Sequence, residues 1–224
     1  LIDYLVKNGK ADLFIDEQKA ASLITDDTLL IMVDNQTVER MDAPSDLFYK
    51  FKRTVVIDHH HENPMRVVPT EFFYLETTAS STCELVTEML PYFCDDEVDR
   101  IEAEALLSGI YLDSRDFVFH TSELTFEAAS YLCSRKADPI TVKKLFTECL
   151  EFYHLKTDLV LSAEMYRDTV ISLSEKDYSQ FSVAAAQAAN ELLNILGVRA
   201  SMVLTSYKGQ TYVSARSIDE VNVQ

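Results

Sequence analysis

Two short apolar runs end on side chains able to hold a metal ion. Leu29-Leu30-Ile31-Met32-Val33 runs into Asp34, and Thr54-Val55-Val56-Ile57 runs into Asp58, His59 and His60. A third acidic residue, Asp113, closes the stretch Gly109-Ile110-Tyr111-Leu112. Carboxylate oxygen and imidazole nitrogen are suitable donors for Mn²⁺. A carboxylate that bridges two ions sets them about 3.5–4 Å apart, the spacing that clamps both oxygens of an in-line phosphoryl displacement. Each residue also has a plainer use. A strand-end Asp is more often a turn or cap residue, a lone His is more often packed, and Asp116 competes with Asp113 for a ligand role. An Asp and an Asp-His-His at neighbouring strand ends say more together, because parallel α/β sheets bind ligands at the carboxyl ends of their strands. A nucleophile triad is a poorer reading: His120 and His154 have no Gly-x-Ser-x-Gly elbow, and Ser80 and Ser81 suit helix caps.

The elements that must position these side chains alternate between helix and strand. Helical periodicity covers about 1–8, 17–24 and 45–51, around strands at 28–33 and 54–57 whose nearly all-apolar character predicts a parallel sheet covered on both faces. A further strand is expected at 72–75. Ser81 and Glu84 form an S-x-x-E box opening a helix over about 81–92. Helices follow near 98–111, 123–134 and 139–149, the last with Asp138 as N-cap and Pro139 in its first turn. An unbroken amphipathic helix at about 151–167 suits a link between two lobes. Beyond it come a strand at 170–173, a helix at 184–196 closed by Gly197, and a hairpin of 200–206 with 210–217 around Lys208-Gly209. The expected organisation is a larger α/β lobe over 1–150, a linking helix over 151–168, and a smaller α/β lobe over 169–224.

Composition narrows the function classes. The 224 residues are 47% hydrophobic and 25% charged, with a mean hydropathy of −0.04, as in a globular chain. No apolar run approaches the roughly 18 residues of a membrane span, and no signal peptide is visible at residue 1. The first residue is not Met, and the chain reads as a segment of something longer. Four glycines, Gly9, Gly109, Gly197 and Gly209, lie too far apart for a GxGxxG or P-loop phosphate cradle. Cys83, Cys94, Cys133 and Cys149 form no CxxC; the three in helical patterns, Cys83, Cys133 and Cys149, are expected to be buried free thiols in a reducing cytosol. The net charge of −17 gives no footprint for duplex nucleic acid. A phosphate ligand would need a local reversal of that field, for which bound cations are the natural source.

The pieces TLLIMVDN at 28–35, VVIDHH at 55–60, ASST at 79–82, EAEALLSGIYLDSRDF at 102–117, TFEAASYL at 125–132 and VSARSIDEVNVQ at 213–224 together resemble the DHH/DHHA1 phosphoesterase superfamily, most of all its GdpP-type cyclic di-AMP phosphodiesterases. The resemblance implies a parallel-sheet DHH lobe and a smaller DHHA1 lobe joined by a helix. It implies two Mn²⁺ ions, with Asp34 as the bridging carboxylate and His59 and Asp113 as further ligands. Asp58 and His60 complete the motif as the catalytic pair that orients those ligands, and Arg216 and Ser217 match the segment that meets the nucleotide. The implied activity is opening of cyclic di-AMP to linear pApA. A nano-RNA or pAp phosphatase on the same scaffold and a non-catalytic nucleotide-sensing module stand as alternatives. A His-x-x-x-Asp-x-Asp motif is expected upstream of residue 1 and a Gly-rich His motif after Gln224. Relatives of this type are anchored by membrane helices further upstream, which would put this segment at the cytoplasmic face without membrane contact of its own. The resemblance also allows a homodimer.

Overall fold

The computed structural model describes residues 1–40, 45–67, 70–93, 97–177, 181–218, 221 and 223. The chain forms two compact units, Leu1–Phe146 and Thr147–Gln224.

In the first unit, helices α1 (Ile2–Lys7) and α2 (Glu17–Leu23) precede strand β1 (Leu29–Val33). The short helix α3 (Ser45–Phe48) leads to β2 (Arg53–Asp58) and then β3 (Phe72–Leu75). The three strands pair in the order β1-β2-β3, all parallel, with Leu29 opposite Arg53 and Val55 opposite Phe72. Four helices follow: α4 (Thr82–Phe93), α5 (Arg100–Asp113), α6 (Glu123–Ser134) and α7 (Pro139–Leu145). Their starts are set by side chains that accept otherwise orphaned backbone N–H groups. Asp99 accepts from Glu102, Ser122 from Thr125, and Asp138 from Ile140 and Thr141. The helices close on a core of Ala103, Leu107, Ile110, Ala128, Leu132 and Val142. Ile57 and Ala79 bury against Leu85 of α4, which ties that helix to β2.

The β1 strand departs from expectation on one face. Leu29, Ile31 and Val33 remain 38%, 55% and 51% exposed, while Met32 on the opposite face is buried with Val56 and Val67. Among the described residues, the sheet is therefore covered on one face of β1 and open on the other.

The second unit opens with helix α8 (Leu150–Leu161), followed by β4 (Glu164–Tyr166), β5 (Thr169–Asp177), helix α9 (Phe181–Leu192), β6 (Ala200–Tyr207) and β7 (Gln210–Ser217). The sheet order is β4-β5-β6-β7. β5 and β6 run parallel across the α9 crossover, and the outer pairs are antiparallel. Ala184, Ala185, Ala188 and Ala189 let α9 lie close to the strands around Val170 and Val203, with Leu159 of α8 in the same core. α8 stops at Leu161, short of the residues its periodicity suggests. The Ser162 hydroxyl bonds back to Leu159 O, and the chain turns at Arg167 (φ 55°) to pair β4 with β5. Gly197 (φ 86°) does not close α9, which ends at Leu192; it serves a later turn. Lys208 and Gly209 both take positive φ, the geometry of a two-residue hairpin turn. Cys133 and Cys149 are exposed rather than buried, Cys83 is partly buried, and Cys94 lies outside the described residues. Among the described residues, no helix is long and apolar enough to cross a membrane.

Candidate metal centre

Parallel pairing of β1 with β2 brings their carboxyl ends together, and the chain turns sharply at both. Asp34 follows β1 in the left-handed region (φ 61°), and its backbone N–H donates to Ile57 O at 3.0 Å. Its carboxylate is thereby left in solvent beside the end of β2. Asp58, the last residue of β2, is 1% exposed and turns the chain by hydrogen bonding. Its Oδ1 accepts from the His59 N–H at 2.7 Å, the His60 N–H at 3.1 Å and the His60 Nδ1–H at 2.7 Å. Burial alone raises the Asp58 carboxyl. The hydrogen bonds from His60 and Gln36, with the charge of His60, outweigh it and hold the group below the usual carboxylate range.

These contacts also decide which ring nitrogens stay free. His59 Nδ1 lies 3.3 Å from Ala79 O, and His60 Nδ1 faces the Asp58 carboxylate. Both oxygens can only accept, so in the neutral rings Nδ1 carries the proton and Nε2 keeps its lone pair. His59 Nε2 sits 3.5 Å from Asp34 Oδ1, and His60 Nδ1 is 3.9 Å from the same oxygen. Asp34, His59 and His60 form one group whose ligand atoms all fall within 4.8 Å of one another.

Asp113 ends α5. Burial raises its carboxyl, the charge of Asp34 raises it further, and His59 and His60 act in the opposite direction. Two carboxylates that repel each other beside an imidazole lone pair fit a divalent cation: Asp34 Oδ1 and His59 Nε2 face each other, whereas the His60 nitrogen nearest Asp34 is the Nδ1 that bonds Asp58.

Three contributors were not singled out in the sequence. The Thr82 hydroxyl donates to Asp34 Oδ1 at 2.9 Å. Ala79 supplies the carbonyl that orients His59. Buried Gln36 pins the loop after the histidines, donating to His61 O at 3.2 Å and accepting from the Asn63 N–H at 2.9 Å. The ASST start of α4 was the available signal for the first two. The Ser81 cap itself forms, with its hydroxyl accepting from the Glu84 N–H, but Glu84 reaches back to Ser80 instead of closing the box on Ser81.

Arg216 and Ser217 belong to the second unit, at the end of β7. Arg216 pairs in register with Ser201, whose hydroxyl bonds Ala189 O of α9, so Arg216 is on the α9 side of the sheet. Its Nη1 donates to Ala215 O at 2.8 Å. Asp219 and Glu220, the acids that could pair with it, lie outside the described residues.

Residues 1–110 match the family described as "DHH family, N-terminal domain", and these residues include Asp34, Asp58, His59 and His60. These residues are a DHH family N-terminal domain. The chain is 38% identical over 216 residues to the cyclic-di-AMP phosphodiesterase GdpP of Bacillus subtilis, covering 94% of this chain and 33% of that protein. It is also 38% identical over 213 residues to the cyclic-di-AMP phosphodiesterase PdeA of Listeria monocytogenes, covering 94% and 32%. The chain thus spans about a third of the length of these curated relatives. Among solved structures, an exopolyphosphatase-related protein from Bacteroides fragilis superposes with a TM-score of 0.83 at 20% identity, covering 97% of this chain and 68% of that one. That likeness establishes a shared mixed α/β fold.

Proposed function

We propose that this chain is the catalytic region of a metal-dependent phosphodiesterase that opens cyclic di-AMP to linear pApA. The observation that carries the reading is the convergence of Asp34, His59 and His60 at adjacent parallel strand ends in a lobe of the DHH family. The two relatives named as cyclic-di-AMP phosphodiesterases support the substrate class.

The reading takes two Mn²⁺ ions, which Asp34, His59 and Asp113 would hold. Such ions supply polarisation of a phosphoryl oxygen and a water-derived nucleophile at neutral pH. The chain's own part is to hold and orient. Ala79 O and the Asp58 carboxylate keep both Nδ1 protons in place, so that Nε2 of each ring is available. Asp58 and His60 act as one hydrogen-bonded pair, with the buried anion holding the imidazole. Arg216 suits one phosphate of the substrate, because its planar guanidinium offers paired donors to phosphate oxygens, and Ser217 adds a hydroxyl beside it.

The test is hydrolysis of cyclic di-AMP, pApA and short RNA side by side by the complete protein, with metal content measured. Conversion of cyclic di-AMP to pApA that stops on chelation and returns with Mn²⁺ is the expected result. Preference for pApA or short RNA would move the assignment to the phosphatase reading. Arg216→Ala should weaken cyclic di-AMP binding by about 1.5–3 kcal/mol, the worth of a charged hydrogen bond, and leave Mn²⁺ retention unchanged.

A further inference from the structure

Helices α4 and α5 meet where one of them has no side chain. A Cβ placed on Gly109 would lie 2.2 Å from Cys83 Sγ and 3.1 Å from Cys83 Cβ. The thiol therefore occupies the space that any other residue at 109 would claim. Gly109 is inside a 14-residue helix, where glycine is less favourable than alanine by about 1 kcal/mol, and it does not have the positive φ of Gly9, Gly197 and Gly209. Its use here is close approach.

What flanks the contact gives it a role beyond packing. Thr82 precedes Cys83, and its hydroxyl holds Asp34 Oδ1. Asp113 follows Gly109 by one helical turn. The charges of Asp113 and Asp34 both act on the Cys83 thiol, after the larger effect of its burial, so the sulfur lies within electrostatic reach of both carboxylates.

We propose that the Cys83–Gly109 contact is a spacer that sets the separation of Asp34 from Asp113, and through it the fit of the site to its cation. It rests on the reading of these two carboxylates as ligands. Cys83 and Gly109 are positioning residues: one acts on Asp34 through Thr82, the other on Asp113 through the last turn of α5.

The test is Mn²⁺ titration of the complete protein by calorimetry, with metal-free urea unfolding of each variant beside it. Gly109→Ala should lower Mn²⁺ affinity about 10- to 100-fold, the usual effect of disturbing groups behind metal ligands. Adding Cys83→Ala removes the sulfur that the new methyl strikes and should restore most of that affinity. Cys83→Leu overfills the same gap from α4 and should reproduce the loss, which keeps the test decisive if Gly109→Ala does not fold. Wild-type Mn²⁺ affinity in a folded Gly109→Ala or Cys83→Leu protein would reduce the contact to packing alone and overturn the proposal. So would a loss that Cys83→Ala does not relieve. A wild-type protein that takes up no Mn²⁺ would remove the ligand reading and the spacer with it. Failure of the phosphodiesterase reading looks different: intact Mn²⁺ binding with cyclic di-AMP left uncut.

Discussion

Replacing Asp58 by Asn probes the centre without touching Asp34. Three donors meet on one Asp58 oxygen, the backbone N–H of His59 and His60 and the His60 Nδ1–H. A hydrogen bond to a charged acceptor contributes about 1.5–3 kcal/mol, against about 1 kcal/mol for a neutral pair. Neutralising the acceptor then removes roughly 0.5–2 kcal/mol per bond. The three share an atom and a loop and do not add in full, which puts the loss at about 2–4 kcal/mol. The sign of the pH dependence follows from Asp58 being held below the usual carboxylate range. A depressed carboxyl contributes stability above its unfolded value, near about 4, and that contribution disappears as pH falls through the folded value. The gap between wild type and Asp58→Asn should therefore be full at pH 7 and close as the medium becomes strongly acidic. Urea unfolding followed by circular dichroism across that range measures it. With the His60 ring no longer held by an anion and the turn that carries His59 loosened, Mn²⁺ affinity should drop about 10- to 100-fold as well. Equal unfolding midpoints at pH 7, or a gap that widens on acidification, would refute the reasoning.

Asp34→Asn should abolish metal uptake and hydrolysis with stability nearly unchanged, since the side chain is half in solvent and asparagine tolerates positive φ; normal metal content in the folded variant would remove Asp34 from the site. His59→Ala should lose metal in the same way, read by elemental analysis after dialysis. Tyr4→Phe deletes the hydroxyl donated to the fully buried Glu104 and should lower stability by about 1.5–3 kcal/mol in chemical denaturation, whereas an unchanged midpoint would show the bond to be dispensable. Burial pushes the Cys83 thiol up to about 12, so mass spectrometry after mild alkylation at neutral pH should find Cys133 and Cys149 modified well before Cys83, and prompt native labelling of Cys83 would contradict its placement.

The parts of the molecule legible in the sequence are those written by neighbours in the chain. The apolar runs ending at Val33 and Ile57 announced two parallel strands and the polar residues at their tips. Asp138-Pro139 announced a helix start, and Lys208-Gly209 a hairpin. What stayed hidden depends on residues far apart. Thr82 reaches Asp34 across 48 positions and Tyr4 reaches Glu104 across 100, separations at which no periodicity carries information. Strand β4 is three exposed residues, Glu164–Tyr166, and has no apolar alternation to read. The end of α8 turns on a serine hydroxyl bonding back to the helix, a local competition that leaves the hydrophobic pattern intact. Cys133 lies in a helix yet faces solvent because the apolar stripe of α6 runs through Ala128 and Leu132 instead. At the site, residue type and strand position pointed to Asp34 and to the Asp58–His60 triplet. The protonation pattern of the two imidazoles came only from the carbonyl and carboxylate that the fold sets against them.

The open face of β1 bears on how molecules of this protein behave toward one another. Leu-Leu-Ile-Met-Val is five uncharged residues that include the strand formers Ile31 and Val33, and among the described residues the strand ends its sheet with Leu29, Ile31 and Val33 exposed. What opposes stacking of one such edge on another is long-range repulsion, since these 224 residues carry −17. That repulsion weakens with added salt and vanishes near pH 4.6, where the net charge is zero. Colloidal stability and the acidic surface are thus one property: the charge that would hinder the anionic substrate proposed above is the same charge that keeps these edges apart.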